Sequence, residues 1–371
     1  MARIITLDEI HAAQLRIAGV AVRTGLYRVE PERILQAGHG ELPFELYIKA
    51  ESEQPIGSFK LRGAYNRIAQ LSAHELRHGV ITYSSGNHAQ GVAYAARALG
   101  ARAVIAMPEN APAIKIEANR GLGAEVVLVG PASSERKAKA EELAAAHGYT
   151  IIPPYDDPAI IAGQSTCGLE ILEQLGVVAE EHTPQGLKPL THNGRINGVA
   201  EAALLQGKGE VVVLSPVSGG GLLSGIAAAV KLAAPNGAVQ AWGAEPELAA
   251  DAKESFDTKT LVEWPAEKTT RTSCDGLRTQ SVGEMNFAHI LRFVDGIVTV
   301  SEDEILTAMR VMLTTTGLVA EPSGAVTLAA ALFHHAELPR CERMVAVLSG
   351  GNIEPDMKRE LDAGRPAVAS S

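Results

Sequence analysis

Cysteine is scarce in this chain. The 371 residues include three cysteines, Cys167, Cys274 and Cys341, which are odd in number and far apart. That arrangement fits neither a framework of disulfides nor the close pairs of ligands that bind structural zinc. We therefore expect free thiols, the state that a reducing cytoplasm maintains.

Long apolar runs and an excess of positive charge are also missing. No hydrophobic stretch approaches the length of a membrane span, and residues 1–14 lack the apolar core of a signal peptide. Lys and Arg number 33 against 43 Asp and Glu, which gives a formal net charge of -10. This balance argues against nucleic acid and anionic membranes as partners. We expect a cytoplasmic protein with neither kind of partner.

The chain does contain enough apolar material for a large core. Hydrophobic residues make up 46% of it and charged residues 20%, enough for two medium domains or one large one. From residue 79 to residue 152 predicted strands and helices alternate, with strands at 80–83, 103–107, 125–129 and 150–152. The alternation predicts a parallel α/β unit whose binding loops lie at the carboxyl ends of its strands.

Three adjacent glycines at 219–221 separate an apolar, mostly β-branched run at 211–214 from a helix predicted over 222–234. Glycine lets the backbone approach a bound group, and the first N–H groups of a helix bind anions, so we predict a phosphate site. A plain glycine-rich turn remains open on this stretch alone. No Gly-Lys-Ser/Thr ending of a P-loop follows, and Ser224 replaces the third glycine of the dinucleotide fingerprint. A phosphorylated cofactor such as pyridoxal phosphate fits better.

That cofactor requires a lysine, and Lys60 is the candidate. It stands in the first turn of a helix predicted to begin at Ser58, where the helix dipole disfavours a cation. Two interpretations are open. Lys60 is either an ordinary solvated lysine or an amine whose pKa the positive helix end lowers, as a Schiff-base lysine requires.

A polar turn, Ser84, Ser85, Gly86, Asn87 and His88, follows the strand predicted at 80–83. Its side chains can cap the following helix. Its N–H and O–H donors can also converge on a carboxylate. The two roles are compatible, and we expect a carboxylate site here.

Two carboxylates, Glu245 and Asp251, follow the strand predicted at 239–243, and Ala249 lies between them. With the carbonyl of Ala249 they could bind a hard cation such as Mg²⁺ or Ca²⁺. On the residues alone we prefer the simpler interpretation, a solvated helix start whose acidic residues the dipole favours.

Four motifs stand in one order: SFKLRGA around Lys60, SSGNHAQG around Asn87, SGGGL from Ser218 and LSGGN around Ser349. With IPPYDDPAIIAGQ, VSEDEI and AEPSGA they resemble the fold-type II pyridoxal-phosphate enzymes. The most similar group is that of the threonine/serine dehydratases and serine racemases. The resemblance runs from the N-terminal helix to about Lys358.

The resemblance implies an α/β fold like that of tryptophan synthase β, with large and small three-layer domains and the cofactor between them. The large domain would comprise residues 1–77, which carry Lys60, and residues 156–371, which carry the phosphate loop. Residues 78–155 would form the small mobile domain. The stretch 176–210 departs from the family, which usually passes from helix to strand there in a few residues.

The resemblance also implies roles for matching residues. Lys60 would hold the cofactor as a Schiff base and remove the substrate's α-proton, and Ser85 would be the acid on the opposite face. Asn87 would bond the phenolic oxygen, and Ser349 would face the pyridine nitrogen. The cofactor would be bound by Phe59, Lys60, Asn87, Ser218, Gly219, Gly220, Gly221, Leu222 and Ser349. The substrate would be bound by Ser84, Ser85, Asn87 and His88. A divalent-cation site as in serine racemases would comprise Glu245, Ala249 and Asp251.

The implied activity is that of an ammonia-lyase (dehydratase). It would eliminate the β-hydroxyl of a hydroxy-amino acid, L-threonine or L-serine first of all, to give a 2-oxo acid and ammonia. A serine racemase, a dehydratase of 3-hydroxyaspartate or phenylserine, and a non-catalytic cofactor-binding protein remain alternatives. The expected partners are a small amino-acid substrate and further copies of the chain, in a homodimer or homotetramer.

Overall fold

The computed structural model describes residues 3–84, 86–130, 133–179 and 210–363. The helices are α1 (Leu7–Ile17), α2 (Pro31–Gln36), α3 (Lys60–Ile68), α4 (Ala73–His78), α5 (Asn87–Ala98), α6 (Ala113–Gly121), α7 (Ser133–His147), α8 (Pro158–Gln174), α9 (Gly221–Ala233), α10 (Asp251–Thr258), α11 (Ala266–Thr269), α12 (Glu284–Phe293), α13 (Glu302–Thr316), α14 (Pro322–Phe333) and α15 (Pro355–Ala363). The strands are β1 (Leu26–Arg28), β2 (Glu45–Ala50), β3 (Val80–Thr82), β4 (Ala103–Pro108), β5 (Glu125–Val129), β6 (Thr150–Ile151), β7 (Val211–Pro216), β8 (Val239–Pro246), β9 (Gly296–Val300) and β10 (Arg343–Leu348).

The larger sheet has six strands in the order β1-β2-β10-β7-β8-β9, all parallel except β1. Side chains alternate between its faces because successive residues of a strand point in opposite directions. Val211 and Val213 pack into a core with residues of α1, α8, α9 and α12. Val212 and Leu214 pack into a second core with α13 and α14. The sheet is therefore the middle of three layers.

The smaller sheet has four parallel strands in the order β5-β4-β3-β6, and all of them lie within residues 78–155. Ile105 and Met107 face the core on the α5 side, whereas Val104 and Ala106 face Ala140 of α7. The parallel α/β unit predicted from the alternating pattern is confirmed, and so is the fold class with two three-layer parts.

Capping side chains fix where two of the helices begin. Thr6 caps α1 and Ser301 caps α13, each through a hydrogen bond from the backbone N–H three residues on. By contrast, α3 begins at Lys60 and not at Ser58. Most of the atypical stretch 176–210 lies outside the described residues. Within the described part of the chain, no helix has both the length and the apolar character to cross a membrane.

The order of the strands brings separate loops to one edge of the larger sheet. β10 pairs in parallel with β7, with Ala346 opposite Leu214, so both strands end on the same side. β10 also pairs in parallel with β2, with Leu348 opposite Ala50. The loops that follow these three strands therefore meet at one edge, which is where ligands bind in open α/β sheets.

Candidate active site

Lys60 is the first residue of α3, and its Nζ donates a hydrogen bond to the carbonyl oxygen of Pro154 at 2.9 Å. Burial of the ammonium lowers its pKa to about 8. The sequence-based hypothesis attributed a lowered pKa to the positive helix end. In the structure the lowered pKa of Lys60 comes instead from the loss of water around the amine, which disfavours its charged form. About a tenth of such an amine is uncharged at pH 7, far more than of an ordinary lysine, and this suits Lys60 to act as a nucleophile and base.

The start of α3 is attached to the end of β10. The backbone N–H of Phe59 donates to the carbonyl oxygen of Ser349 at 3.1 Å, and Ser58 pairs with Gly350 in an isolated antiparallel bridge. Lys60 Nζ lies 5.2 Å from the centre of the Phe59 ring. Ser349 is buried, and its hydroxyl donates a long hydrogen bond of 3.4 Å to the backbone carbonyl oxygen of Ser323. Lys60, Phe59 and Ser349 therefore form one group.

The three glycines form a close-packed cup between β7 and α9. Gly220 precedes α9 with φ +93°, a left-handed conformation that glycine adopts without strain. A Cβ on Gly219 would overlap the ring of Tyr155, and one on Gly221 would come within 3.0 Å of the Cβ of Tyr155. Tyr155 directly follows Pro154, the acceptor of the Lys60 hydrogen bond. The cup therefore lies close to the amine, and its helix-start N–H groups fit a phosphate.

Ser218 and Leu222 stand on either side of the three glycines. The hydroxyl groups of Ser218 and Thr279 are hydrogen-bonded at 2.9 Å. Leu222 is buried within the core beneath the sheet, so its backbone, in the first turn of α9, is the part available to a ligand.

Asn87 does not cap a helix. The N-cap of α5 is Gly86, which makes no side-chain cap. Asn87 Nδ2 donates instead to Glu321 Oε1 at 2.7 Å, and Asn87 Oδ1 accepts from Asn352 Nδ2 at 2.7 Å. Burial, with a contribution from the charge of Asp275, raises the pKa of Glu321 to about 8.

His88 is buried, and its Nε2 lies 3.1 Å from the carbonyl oxygen of Ile152, so this nitrogen carries the proton and donates. Burial and the nearby charge of Lys60 lower the pKa of His88 to about 3, which keeps the ring neutral. Its backbone N–H is therefore the part suited to a carboxylate. Ser84 Oγ accepts a hydrogen bond of 3.4 Å from the N–H of Gly86. Ser85 lies outside the described residues.

Glu245 and Asp251 are both buried, which excludes the solvated helix start. Glu245 accepts hydrogen bonds from the N–H groups of Ala252 (3.2 Å) and Lys253 (2.9 Å). Both carboxylate oxygens of Asp251 are buried, with no hydrogen-bond partner in the part of the chain that the structure describes. Burial raises the pKa of both groups, that of Asp251 to about 7.

Such orphaned oxygens fit a bound cation, since a buried unpaired carboxylate is costly. Ala249, which offers a carbonyl, is buried at the end of the short 3₁₀ turn Glu247–Ala249. No group of three or more His, Cys, Asp or Glu side chains that could hold a metal occurs among the described residues. A cation here would therefore need backbone carbonyls and water as further ligands.

Sequence reasoning missed several residues of the site. Glu321 appeared there only within the motif AEPSGA, and Asn352 only as the last residue of LSGGN. Tyr155 and Thr279 were given no role. The one available signal was AEPSGA, in which an acidic residue precedes a proline at a helix start.

Comparisons with known proteins agree on one family. Residues 27–350 match the family described as "Pyridoxal-phosphate dependent enzyme". The L-threo-3-hydroxyaspartate ammonia-lyase of Saccharomyces cerevisiae is 36% identical over 315 residues, which cover 85% of this chain and 84% of that protein. The serine racemase of Schizosaccharomyces pombe is 34% identical over 94% of both chains. The crystal structure of the T.th. threonine deaminase has a TM-score of 0.78 at 40% identity, covering 94% of this chain and 99% of that one.

Proposed function

Because the chain belongs to the family of pyridoxal-phosphate-dependent enzymes, we propose that it is an ammonia-lyase that removes the β-hydroxyl of L-threonine or L-serine. The observation that carries the proposal is the position of Lys60. Its amine, with a pKa of about 8, lies close to a glycine cup, and the preceding residue, Phe59, is hydrogen-bonded to the buried Ser349.

The bound cofactor would withdraw electrons from the α-carbon of an amino acid joined to it, which acidifies the α-proton. Lys60 would hold the cofactor and then take that proton. The glycine cup would bind the phosphate and Phe59 would pack on the ring. Asn87 would donate to the phenolic oxygen, and Ser349 would face the ring nitrogen. A neutral hydroxyl there would leave this nitrogen unprotonated, which favours prompt loss of the β-hydroxyl over a long-lived carbanion.

On the substrate side, Ser84, Ser85, Asn87 and the backbone N–H of His88 would bind the carboxylate. Loss of the α-proton and of the β-hydroxyl as water would give an enamine, whose hydrolysis releases a 2-oxo acid and ammonia. Threonine would give 2-oxobutanoate, and serine would give pyruvate.

The test is a substrate panel of L- and D-threonine, serine, 3-hydroxyaspartate and phenylserine, scored by ammonia and 2-oxo acid. We expect the highest kcat/KM with L-threonine or L-serine. A higher value with 3-hydroxyaspartate would replace that substrate assignment, in keeping with the name of the yeast relative. Absence of ammonia from every member would refute the lyase.

Racemisation is the second candidate, favoured by the buried pair Glu245 and Asp251 and by the name of the S. pombe relative. It would need an acid opposite Lys60, and Ser85 is our candidate. D-serine measured against pyruvate in one incubation with L-serine decides the ratio. A ratio of D-serine to pyruvate above one would make racemisation the main reaction.

We also propose that Glu245, the carbonyl of Ala249 and Asp251 bind Mg²⁺ or another divalent cation. The support is the pair of orphaned oxygens on Asp251 and the burial of all three residues. The cation would lie outside the reacting groups and would neutralise carboxylates that are costly to bury as anions.

We further propose that residues 78–155 move relative to residues 1–77 and 156–371. Contacts between these parts include ion pairs from Lys115 to Asp275 (2.8 Å) and Glu354 (3.2 Å), whose carboxylate side chains are nearly half exposed. Exposed pairs are individually weak, which suits a contact that opens and closes. A homodimer or homotetramer in the cytoplasm stays our expectation, and light scattering of the purified protein tests the assembly.

A further inference from the structure

We propose that Asn286, which lies outside every motif of the sequence, sets the direction of the Gly219–Gly220 peptide and thereby builds the phosphate site. Asn286 is a positioning residue, because it acts on the ligand through the backbone of the cup. The inference rests on the proposed function only in that the ligand is the phosphate group of the cofactor.

The carbonyl oxygen of Gly219 is held by two donors. Asn286 Nδ2 donates to it at 2.8 Å, and the backbone N–H of Gly283 donates to it at 3.0 Å. Both donors belong to α12 or to the residue before it, so the carbonyl points at the start of that helix. Asn286 is fully buried, so water does not compete for this oxygen.

The Gly219–Gly220 peptide is trans, and a trans peptide directs its C=O and its N–H in opposite directions. With the carbonyl turned toward α12, the N–H of Gly220 points away from α12. It then joins the free N–H groups of the first turn of α9, which form the anion site. A flipped peptide would present a carbonyl oxygen to the phosphate in place of a donor.

The glycines cannot hold this direction by themselves. Glycine adopts positive and negative φ about equally well, so two adjacent glycines leave the orientation of their shared peptide open. An external anchor has to decide it, and Asn286 is the side chain that supplies one.

Hydrogen bonds and close packing hold Asn286 itself in place. Asp156 Oδ1 accepts from the N–H groups of Met285 (3.0 Å) and Asn286 (3.2 Å). The hydroxyl of Ser224 on α9 donates to the carbonyl oxygen of Asn286 at 3.2 Å. A Cβ on Gly220 would lie 2.8 Å from the Cβ of Asn286, so the loop rests directly on this residue.

The orientation of the amide follows from its surroundings. Its Oδ1 is buried and has no hydrogen-bond partner among the described residues. The opposite orientation would face that oxygen toward the carbonyl oxygen of Gly219, and two acceptors repel each other. The donor must therefore point at Gly219, even though this leaves Oδ1 unpaired.

The test compares the affinity of the apo-protein for pyridoxal phosphate and for pyridoxal, which lacks the phosphate. Fluorescence quenching measures both dissociation constants. Asn286→Asp keeps the shape but replaces the donor by an acceptor, so the peptide should turn and affinity for pyridoxal phosphate should fall roughly a hundredfold. Asn286→Ala leaves Gly283 as the remaining donor and should lose roughly tenfold. The affinity for pyridoxal should stay within about twofold in both variants.

Two controls accompany the test, one for folding and one for the added negative charge. Asn286 is fully buried and Asp156 already accepts from its N–H, so a carboxylate at this position is costly, and circular dichroism with a thermal melt checks that Asn286→Asp folds. Asn286→Ala adds no charge and tests the same anchor if Asn286→Asp does not fold. Asn236→Asp adds the same charge at an exposed position beyond the far end of α9, roughly 20 Å from the cup, and should change neither affinity.

Different results would overturn the role of Asn286 and the proposed function. Unchanged affinity for pyridoxal phosphate in both variants would overturn the inference, and so would an equal loss for both ligands. A loss confined to Asn286→Asp would mean simple charge repulsion and would overturn it too. If wild-type protein binds neither ligand, the proposed function fails instead.

Discussion

Asn87 on α5 donates from Nδ2 to Oε1 of Glu321, 2.7 Å away, and this hydrogen bond joins the two sheet units across the site. The other end of the same amide accepts from Asn352, which also donates to the carbonyl oxygen of Ile56. An amide nitrogen has two hydrogens, so one remains for a ligand. The two partners therefore fix which end of Asn87 can face the cofactor.

The first prediction concerns Lys60→Ala. The variant should fold, but it should fail to attach the cofactor and its ammonia release should fall by more than about a hundredfold, because the amine is both anchor and base. Mass spectrometry after borohydride reduction checks attachment. Lys139→Ala, a change on the small sheet unit, should keep the added mass. Clear ammonia release by Lys60→Ala without added amine would refute the assignment.

The second prediction concerns Ser349→Asp. A buried carboxylate at the ring nitrogen would favour its protonated form by direct charge attraction. Absorption spectra recorded with substrate should then show a longer-lived coloured species, whereas Ser349→Ala should not produce one. Identical spectra for wild type and Ser349→Asp would mean that Ser349 does not face the ring nitrogen.

The third prediction is a pH dependence caused by Glu321, whose pKa burial raises from 4.5 to about 8. Between these values the folded state holds a proton that the unfolded state has released, so the free energy of unfolding falls as pH rises. Glu321→Gln removes this slope. Urea unfolding measures the free energy of unfolding of both proteins at pH 6 and pH 9. The value for Glu321→Gln minus the value for wild type should rise by on the order of a few kcal/mol between the two pH values.

Asp275 and Lys115 also act on Glu321, but they are present in both proteins and cancel in that difference. Glu360→Gln on the exposed surface of α15 is the control, and its difference from wild type should be the same at both pH values. A difference between Glu321→Gln and wild type that does not change with pH would contradict the prediction.

The fourth prediction concerns the cation. Binding to the folded state stabilises it by about 2.7 kcal/mol at a hundredfold excess over the dissociation constant. Chelation should therefore lower the melting temperature and the activity, and Mg²⁺ should restore both. The pair Glu245→Gln and Asp251→Asn should make the enzyme indifferent to chelator. A wild-type enzyme that is already indifferent has no such site.

The cation site should also depend on pH. A metal needs the ionised carboxylate, and the pKa of Asp251 is raised to about 7. Protons should therefore compete, and the stabilisation by Mg²⁺ in thermal melts should shrink as pH falls below 7. Equal stabilisation at pH 6 and pH 8 would show that Asp251 is not a ligand.

Features that depend on neighbouring residues could be predicted from the sequence. The caps Thr6 and Ser301, the alternating strands around β4 and the glycines before α9 all follow from patterns within a few residues. The ordered motifs identified the family for the same reason, since each is a short local arrangement. Even there, the start of α3 was placed two residues early, because helix ends depend on weak local preferences.

Tertiary structure alone decided which distant groups meet and which lose water. Glu321 contacts Asn87 across 234 residues of chain, and Asn286 contacts Gly219 across 67. The lowered pKa of Lys60 and the unpaired oxygens of Asp251 are effects of burial, which depends on how the sheets and helices pack. Hydrogen-bond partners and desolvation are properties of positions in space, and a one-dimensional pattern does not contain those positions.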